Sequence, residues 1–404
     1  MCAGWLGHCG GWGVTCVGVM ALAGAASASE TELSGRLSRV RGIKVLSLTG
    51  SPRANGFARG YLMAREIRAT LAAAGSAIGR FLPAGIDAGA FAPLMLSRVA
   101  RPAHDRDEIE GLVDGMRAWL GERGIVMEHL GRALTPDDIW CLMALPDFGC
   151  SSFAAWGGRT GDGLLVGRNL DYAGKELLVD SSCIVVCRPE NSRRAPWAEL
   201  SLSPLPGAST AVNADGVFIA VHDAKATGPA SARGRLRGFV IRDFLNAVDG
   251  ASPLRAQAAA FFRSQPILRG TNFLVASPTA GAFVVEYDGN RIRERGVTMR
   301  TPSPGREWVA VTNHFRRRAT CVPCGRYDAL ATALSEAPTA RPLCSLRDGW
   351  SMISRSAQDS TLLTAVYRHV DATVLVGFTD GRTPAHKREP VVVDLTEVWK
   401  AVSR

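Results

Sequence analysis

The sequence predicts an α+β fold in which two β-sheets pack on one another and helices cover their outer faces. Residues 30–149 have mainly helical patterns, whereas the chain after them consists largely of short apolar runs of strand length separated by turn residues. These strands fall into two groups, and a pair of helices lies between the groups. Sheet-on-sheet packing with helices outside buries the apolar faces of all these elements.

Composition agrees with a globular protein that has a sizeable core. The chain has 404 residues, of which 47% are hydrophobic and 21% are charged. No internal repeat and no long linker divides it. We therefore predict that residues 30–404 form one domain, with a helical segment at 30–149 and a β-rich segment at 150–404.

The helical segment begins with a strand, expected at residues 43–49, and continues with helical apolar spacing at 56–82 and 105–120. A further helix has a clear start signal. Thr135 suits an N-cap, Pro136 suits the first turn, and two aspartates follow where the helix dipole favours acids.

The β-rich segment alternates apolar runs with turn residues, which predicts short strands. We expect strands at residues 151–156, 164–171, 182–187, 198–203, 216–222, 271–277, 281–287, 308–312, 361–367 and 372–378. Helical spacing near 235–248 and 252–264 predicts the two helices that separate the strand groups.

The stretch from Gly149 to Tyr172 (GCSSFAAWGGRTGDGLLVGRNLDY) predicts a hairpin with a glycine-rich turn. This hairpin would place Cys150, at the start of its first strand, beside Arg168 and Asp171 at the end of the second. Because Arg168 and Asp171 are three residues apart, one side of a strand would not hold both. We therefore expect the chain to bend between them.

These residue types favour a thiol nucleophile. A thiol attacks as the thiolate, and a nearby guanidinium lowers its pKa. No histidine lies in the stretch, so a base must come from elsewhere. Cleavage of the peptide bond before Cys150 would free an α-amine, whose ordinary pKa of about 7.7–8.0 suits a general base. Gly149 suits such a cleavage, because a residue without Cβ tolerates a strained backbone beside the thiol.

The blocks GCSSFAAWGG and GRNLDY together resemble the N-terminal-nucleophile cysteine hydrolases. The most similar branch holds the acyl-coenzyme A:6-aminopenicillanic acid acyltransferase-like proteins, which are related to choloylglycine hydrolases, penicillin V acylases and acid ceramidases. In that family a precursor cuts itself before the cysteine, which becomes the nucleophile. The resemblance implies a four-layer αββα sandwich of two antiparallel sheets, with residues 150–404 as the catalytic segment.

The resemblance also assigns site residues. Arg168 and Asp171 fall on the family's Arg-x-x-Asp pair, and VTNHF places Asn313 on its oxyanion-hole asparagine. Arg326, in GRYDAL, matches the arginine that follows. Asn213, in an Asn-x-x-Gly turn, is a candidate second oxyanion donor, although Asn-Ala-Asp-Gly between strands is also an ordinary hairpin turn.

The implied activity is hydrolysis of a small-molecule, linear N-acyl amide through a thioester on Cys150, after self-cleavage between Gly149 and Cys150. No cofactor is implied. Bile-salt, penicillin, N-acylethanolamine, ceramide, acyl-homoserine lactone and peptide amides all remain open as substrates. The sequence makes no prediction of oligomeric state.

Three other interpretations stay open. The first is acyl transfer to an amine acceptor, which requires a site that excludes water. The second is a papain-like hydrolase that uses His222 or His314 as its base and predicts no chain cleavage. The third is a non-catalytic, disulfide-stabilised binding homologue, which predicts an inert Cys150.

Charge gives weak guidance about partners. The chain has 47 Lys and Arg against 37 Asp and Glu, a net charge of +10. Such an excess fits a nucleic acid, an anionic membrane surface or an acidic substrate. However, no basic helix and no basic stretch interleaved with aromatic residues is present, and we interpret Arg316–Arg318 as a solvated edge. We predict no nucleic-acid partner and no stable membrane insertion.

The N-terminus predicts export. Residues 12–28 are apolar and end in Ala26-Ser27-Ala28, which is typical of a signal peptide, here assigned to residues 1–29. No Lys or Arg precedes the apolar run. A misplaced start codon near Met20 would give the same pattern in a cytoplasmic protein.

The 10 cysteines predict no metal site. Cys2, Cys9 and Cys16 would leave with the signal peptide. Besides Cys150, six cysteines then remain: Cys141, Cys183, Cys187, Cys321, Cys324 and Cys344. This even number permits disulfides in an oxidising compartment. Cys321-x-x-Cys324 has zinc-ligand spacing but lacks a second such pair. Cys183 and Cys187 would share one face of a strand as buried or disulfide-bonded residues.

Overall fold

The structure is a computed structural model. It describes residues 33–81, 88–144, 149–161, 163–172, 181–190, 194–225, 233–248, 253–288, 296–318, 322–337 and 342–402. The predicted signal peptide at residues 1–29 lies outside the described residues, and so does Cys321 of the Cys-x-x-Cys pair.

Helices dominate the first part of the described chain and recur near its end. They are α1 (Pro52–Leu62), α2 (Ala64–Phe81), α3 (Ala88–Arg98), α4 (Ala103–Gly124), α5 (Pro136–Ala144), α6 (Arg237–Ala247), α7 (Leu254–Ser264), α8 (Gly325–Glu336), α9 (Leu346–Ser354) and α10 (Leu395–Lys400). The helix predicted at residues 56–82 is split at Met63 into α1 and α2, while the start predicted for α5 at Pro136 is confirmed.

The strands follow the predicted positions closely after Cys150. They are β1 (Gly35–Val40), β2 (Ile43–Leu48), β3 (Val126–Met127), β4 (Arg132–Ala133), β5 (Gly149–Gly157), β6 (Gly163–Asp171), β7 (Cys183–Cys187), β8 (Trp197–Ser201), β9 (Thr210–Asn213), β10 (Phe218–Asp223), β11 (Thr271–Ser277), β12 (Gly281–Tyr287), β13 (Val297–Arg300), β14 (Trp308–Val311), β15 (Thr361–Arg368), β16 (Thr373–Phe378) and β17 (Val391–Asp394). Elements absent from the predictions include β1, β9, β13, β17, α3, α9 and α10.

Two large sheets contain nearly all of these strands. A nine-stranded sheet has the order β1-β2-β7-β8-β9-β10-β11-β12-β13, and a six-stranded sheet has the order β14-β5-β6-β15-β16-β17. The sheets are antiparallel except for β2 and β7, which pair in parallel from Lys44↔Cys183 to Leu48↔Cys187. The prediction of purely antiparallel sheets is therefore wrong at this one pair.

Four apolar clusters arrange the elements into layers. One cluster lies between the two sheets and includes Cys150, Val166 and Leu274. Two more join the outer face of the nine-stranded sheet to α1, α2, α4, α5, α6 and α7. The last joins the outer face of the six-stranded sheet to α8 and α9. The predicted αββα sandwich is confirmed, because each sheet buries one face on the other sheet and one on helices.

Glycines let two helices of the first layer approach closely. A Cβ on Gly56 of α1 would lie 1.9 Å from the carbonyl oxygen of Glu108 in α4, and a Cβ on Gly115 of α4 would lie 2.1 Å from that of Phe57. Both distances are impossible for real side chains. The two helices therefore pack backbone against backbone, which only residues without a Cβ allow at these positions.

Within the described residues no helix is both long and apolar enough to cross a membrane. The described cysteines Cys141, Cys150, Cys183, Cys187, Cys324 and Cys344 are free thiols. Cys183 and Cys187 lie on one face of β7, both packed in the cluster beneath α1 and α4, as their spacing predicts.

Candidate active site

The β5–β6 hairpin sets the geometry around Cys150. Its register pairs Cys150 with Leu170 and Ser152 with Arg168. Because side chains alternate along a strand, Cys150, Ser152, Arg168 and Leu170 share the face that points to the other sheet. This register places Arg168 beside Cys150, as predicted. The first strand begins at Gly149 and includes the cysteine, whereas the prediction began it at residue 151.

The thiol of Cys150 is buried against the guanidinium of Arg168. Cys150 is 1% exposed, and Arg168 Nη2 donates a hydrogen bond of 3.1 Å to its Sγ. Arg168 Nε donates to Thr210 Oγ1 at 3.2 Å, which fixes the plane of the guanidinium. Arg168 Nη1 is buried and has no hydrogen-bond partner among the described residues. The guanidinium beside the sulfur is therefore buried, and its Nη1 group makes no hydrogen bond among the described residues.

Asp171 lies on the opposite face of β6 from Arg168. The expected bend is absent, because β6 continues through Asp171, and the irregularity lies instead in its partner β15, between Thr361 and Leu363. Asp171 Oδ2 accepts a hydrogen bond of 2.9 Å from Arg326 Nη1, and Oδ1 accepts one of 2.7 Å from Thr361 Oγ1. Arg168 therefore contacts the sulfur of Cys150, whereas Asp171 contacts Arg326.

Asn313 and Arg326 hold the backbone of Cys150. Asn313 Oδ1 accepts hydrogen bonds from the Cys150 backbone N–H at 2.7 Å and from Arg326 Nη2 at 2.8 Å. Arg326 Nη1 donates to the Cys150 carbonyl oxygen at 3.1 Å. Asn313 Nδ2 donates to the carbonyl oxygen of Asp223 at 2.8 Å. The nitrogen that a cleavage would convert into an α-amine thus already faces a hydrogen-bond acceptor.

Two buried side chains that the sequence analysis missed shape the loop that carries Asn313. Asn272 Nδ2 donates to the carbonyl oxygens of Thr312 and His314, both at 3.0 Å. The Glu286 carboxylate accepts backbone N–H groups from each residue of the basic run Arg316–Arg318. This run is therefore not simply a solvated edge, since its backbone wraps around a buried acid. A single acid in the apolar strand β12 is the one signal in the sequence.

Burial dominates the electrostatics of the Cys150 thiol. It raises the pKa of the Cys150 thiol, and the positive charge of Arg168 acts in the opposite direction without cancelling it. Burial also raises the pKa of Asp171, against the hydrogen bond from Thr361 and the charge of Arg326. In the uncut chain the thiol is therefore protonated at neutral pH, and its attack on a separate substrate needs a base.

Neither histidine that the sequence offered as a base hydrogen-bonds to Cys150 within the described chain. His222 Nε2 lies 2.8 Å from Ser152 Oγ, and burial holds the pKa of His222 well below its usual value. Burial also lowers the pKa of His314. The contacts of His222 are those of a neutral structural histidine.

No hydrogen bond joins Asn213 to Cys150 among the described residues. It ends β9, and its Oδ1 accepts the backbone N–H of Val217 across the turn to β10 at 2.8 Å. The Asp223 carbonyl that contacts Asn313 lies at the far end of β10 from this turn. At the usual rise per strand residue, the two ends of β10 are about 17 Å apart. The side chain of Asn213 closes a hairpin turn, the alternative that its sequence context left open.

An apolar cavity of about 220 Å³ opens beside the hairpin. It is lined by Leu170 and Tyr172 from the end of β6, and by Arg237, whose guanidinium forms an ion pair with Asp223. Leu170, which lines the cavity, pairs directly with Cys150, so the cavity lies close to that residue. Within the described residues no cluster of three or more His, Cys, Asp or Glu side chains could hold a metal ion.

No protein-family model matches the chain, and no curated protein sequence is significantly similar to it. Solved structures of similar fold exist. One is an N-acylethanolamine-hydrolyzing acid amidase ortholog from Caenorhabditis elegans, with a TM-score of 0.43 and 18% identity over 54% of this chain and 92% of that one.

Two others are bacterial. A variant of conjugated bile acid hydrolase from Clostridium perfringens has a TM-score of 0.41 and 10% identity over 61% of this chain and 93% of that one. Penicillin V acylase from Agrobacterium tumefaciens has a TM-score of 0.39 and 13% identity over 61% and 87%. At TM-scores below 0.5 these likenesses carry no argument about chemistry, which rests on the contacts around Cys150.

Proposed function

We propose that the protein is a self-activating cysteine amidohydrolase of the N-terminal-nucleophile class. It cuts its own chain between Gly149 and Cys150 and then hydrolyses a small-molecule, linear N-acyl amide through a thioester on Cys150. The observation that carries this proposal is the arrangement of both reactive atoms of Cys150. Its sulfur contacts Arg168, and its nitrogen contacts Asn313.

In the proposed self-cleavage, Cys150 Sγ attacks the carbonyl carbon of Gly149. The new C–S bond replaces the C–N bond, and the proton of the thiol passes to the nitrogen of Cys150, which leaves as an amine. Water then hydrolyses this thioester to a Gly149 carboxylate and a free Cys150 thiol. Asn313 Oδ1, already 2.7 Å from this nitrogen, is placed to accept a hydrogen bond from the amine as it forms.

In the proposed turnover, the α-amine of Cys150 takes the thiol proton, and Arg168 stabilises the thiolate. The thiolate adds to the substrate carbonyl. The side-chain amide of Asn313 donates to the oxyanion, an interaction that contributes about 3 kcal/mol in comparable sites. The leaving amine receives the proton from the Cys150 ammonium, and water resolves the thioester to release the acid.

Asp171 and Arg326 act as positioning residues in this scheme. Arg326 holds the carbonyl oxygen of Cys150 and the Oδ1 of Asn313 at once, and Asp171 fixes the direction of Arg326. Correct placement of a nucleophile and its base accounts for a large part of enzymatic rate acceleration. The apolar cavity beside Leu170 supports an apolar acyl group as the part of the substrate that is bound.

Intact mass and N-terminal sequencing of the purified protein test the proposal. We expect two fragments, the larger beginning Cys-Ser-Ser-Phe, together with turnover of a simple N-acyl amide. A Cys150→Ala variant should remain one chain without turnover. A Cys344→Ala variant, which removes an exposed thiol, should be cut like the wild type. An uncut but fully active protein, or a Cys150→Ala variant that is still cut, would overturn the scheme.

A further inference from the structure

The cavity beside the hairpin contains a carboxyl group that the proposed chemistry does not use. Glu199 lies in the middle of β8, lines the cavity and is 1% exposed. Its Oε2 has no hydrogen-bond partner within the described part of the chain. An unpaired buried carboxyl oxygen is costly, so its presence in a binding cavity indicates a partner that arrives with the ligand.

Apolar side chains form a large part of the cavity lining around Glu199. Leu202, Leu205, Ile267 and Leu268 line the same space. Such a lining suits an aliphatic or alicyclic acyl group, and the Glu199 carboxyl, the one acidic side chain in the described lining, can fix the position of one polar substituent on that group.

Charged groups face Glu199 from the helices packed on its sheet. Burial raises the pKa of Glu199 to about 7, while the positive charges of Arg59 in α1 and Arg242 in α6 and a hydrogen bond from Ser201 act against that rise, and Glu108 in α4 adds to it. A hydrogen bond from a ligand would act in the same direction as the charge of Arg59 and favour the ionised carboxylate.

The preferred ligand group is a neutral donor rather than a cation. Arg235, Arg237 and Arg269 also line the cavity. Although Arg235 and Arg237 form ion pairs with acids outside the lining, three basic groups around one carboxyl disfavour an ammonium group. A hydroxyl group donates to a carboxylate without that repulsion, and a hydrogen bond to a charged acceptor is stronger than one between neutral groups.

We propose that Glu199 makes this cavity selective for acyl groups that carry a hydroxyl, whose O–H donates to the Glu199 carboxylate. The inference rests on the proposed function, because it assigns the cavity to the acyl part of the amide. The rival is a structural role in which Glu199 only balances the charge of Arg59 behind it.

The test compares 4-nitroanilides of one saturated fatty acid and of its monohydroxylated analogues, with the hydroxyl moved along the chain. For the wild type we expect a kcat/KM for the best hydroxylated anilide roughly 10- to 100-fold above that of the plain one. In Glu199→Gln, which keeps the shape and removes the charge, this ratio should fall roughly tenfold. Because both substrates are measured on one protein, a general loss of folded enzyme cancels from the ratio.

Glu397→Gln, an exposed change on α10, is the matched control and should keep the wild-type ratio. A ratio that stays the same in Glu199→Gln, or a wild type with no preference at any hydroxyl position, would overturn the proposal in favour of the structural role. A Glu199→Gln variant that loses both activities equally would do the same.

A second measurement separates this proposal from the proposed function. If no anilide is hydrolysed and the chain is uncut, the amidohydrolase assignment fails. Calorimetric binding of the free hydroxy acids and the parent acid to Cys150→Ala then decides the matter. Tighter binding of a hydroxy acid that is lost in the Cys150→Ala, Glu199→Gln double variant supports the proposal, and equal binding of both acids overturns it.

Discussion

Burial and charge act in opposite directions on the Cys150 thiol. Burial raises its pKa and Arg168, 3.1 Å from Sγ, lowers it, with burial the larger effect. A thiol that stays protonated while the chain is whole would be unreactive toward other molecules. In the proposed scheme it becomes reactive when its own α-amine is freed, so the base appears only after cleavage.

Thr361→Val tests the role of Asp171 through pH. The Thr361 hydroxyl donates to Asp171 Oδ1 at 2.7 Å and lowers the pKa of Asp171, so its removal raises that pKa further. The carboxylate is then lost at a higher pH as the solution is acidified. We expect the acidic limb of the kcat/KM profile to move to higher pH, with a loss of roughly tenfold on that limb.

Thr364→Val is the control for this prediction. It removes the same hydroxyl from the same strand, but Thr364 donates to Asn169 Oδ1 at 2.8 Å and not to Asp171. Its acidic limb should coincide with that of the wild type. An equal displacement in both variants, or in neither, would show that Asp171 does not control the profile.

At the scale of elements, the β5–β6 hairpin was largely predictable from the sequence. Strand-length apolar runs and a glycine-rich turn predict the hairpin, whereas its register, which brings Arg168 to Cys150, comes from the structure. The same reasoning identified β11 and β12 at their observed bounds. Partners from distant segments were not predictable in this way, since nothing local links Thr361 to Asp171, 190 residues earlier.

The sequence left the role of Asn213 undecided for a similar reason. Its motif was consistent both with a catalytic amide and with a turn, and the choice depends on which end of the β9–β10 hairpin points to the site. That direction follows from the pairing of β10 with β11 and from the position of Asn313, both of which are tertiary.

Gly149→Ala tests how tightly the cleavage point is packed. A Cβ at this position would lie 3.1 Å from the Cβ of Asp171 and 3.5 Å from Arg326 Nη1, so Asp171 must give way by a few tenths of an ångström. Small misplacements of reacting groups are expensive in rate. We expect the first-order rate of self-cleavage, followed by gel electrophoresis, to fall roughly tenfold.

Gly163→Ala provides the comparison at the other end of the same hairpin. A Cβ there would have no neighbour within 4 Å, so this variant should be cut at the wild-type rate. If Gly149→Ala is cut as fast as Gly163→Ala, the packing between Gly149 and Asp171 has no part in the cleavage.

At the scale of the whole molecule, the N-terminal segment is built into the sandwich. Leu33–Arg404 form one compact unit, and β2 is an interior strand of the nine-stranded sheet. Asp105 of α4 accepts hydrogen bonds from Arg235 at 2.8 Å and from Arg242 at 3.1 Å, both beyond the proposed cut. The parallel pairing of β2 with β7 joins segments far apart in the chain, so it leaves no local signal in the sequence.

We therefore expect the two fragments to stay together after cleavage. In size-exclusion chromatography under native conditions they should elute as one species at the volume of the uncut Cys150→Ala protein, and they should separate in denaturant. Elution of residues 150–404 alone as a folded protein would contradict this, because it would leave the apolar face of β7 uncovered.

The parallel pair of β2 and β7 also has a consequence for refolding. In the uncut chain β2 is tethered to its partner, so closing the sheet is an intramolecular event whose entropic cost depends only weakly on loop length. Once the peptide bond before Cys150 is broken, the same strand must find β7 by diffusion, and recovery depends on protein concentration. The uncut variant would refold from dilute solution, whereas the mature enzyme, once unfolded there, would not reassemble.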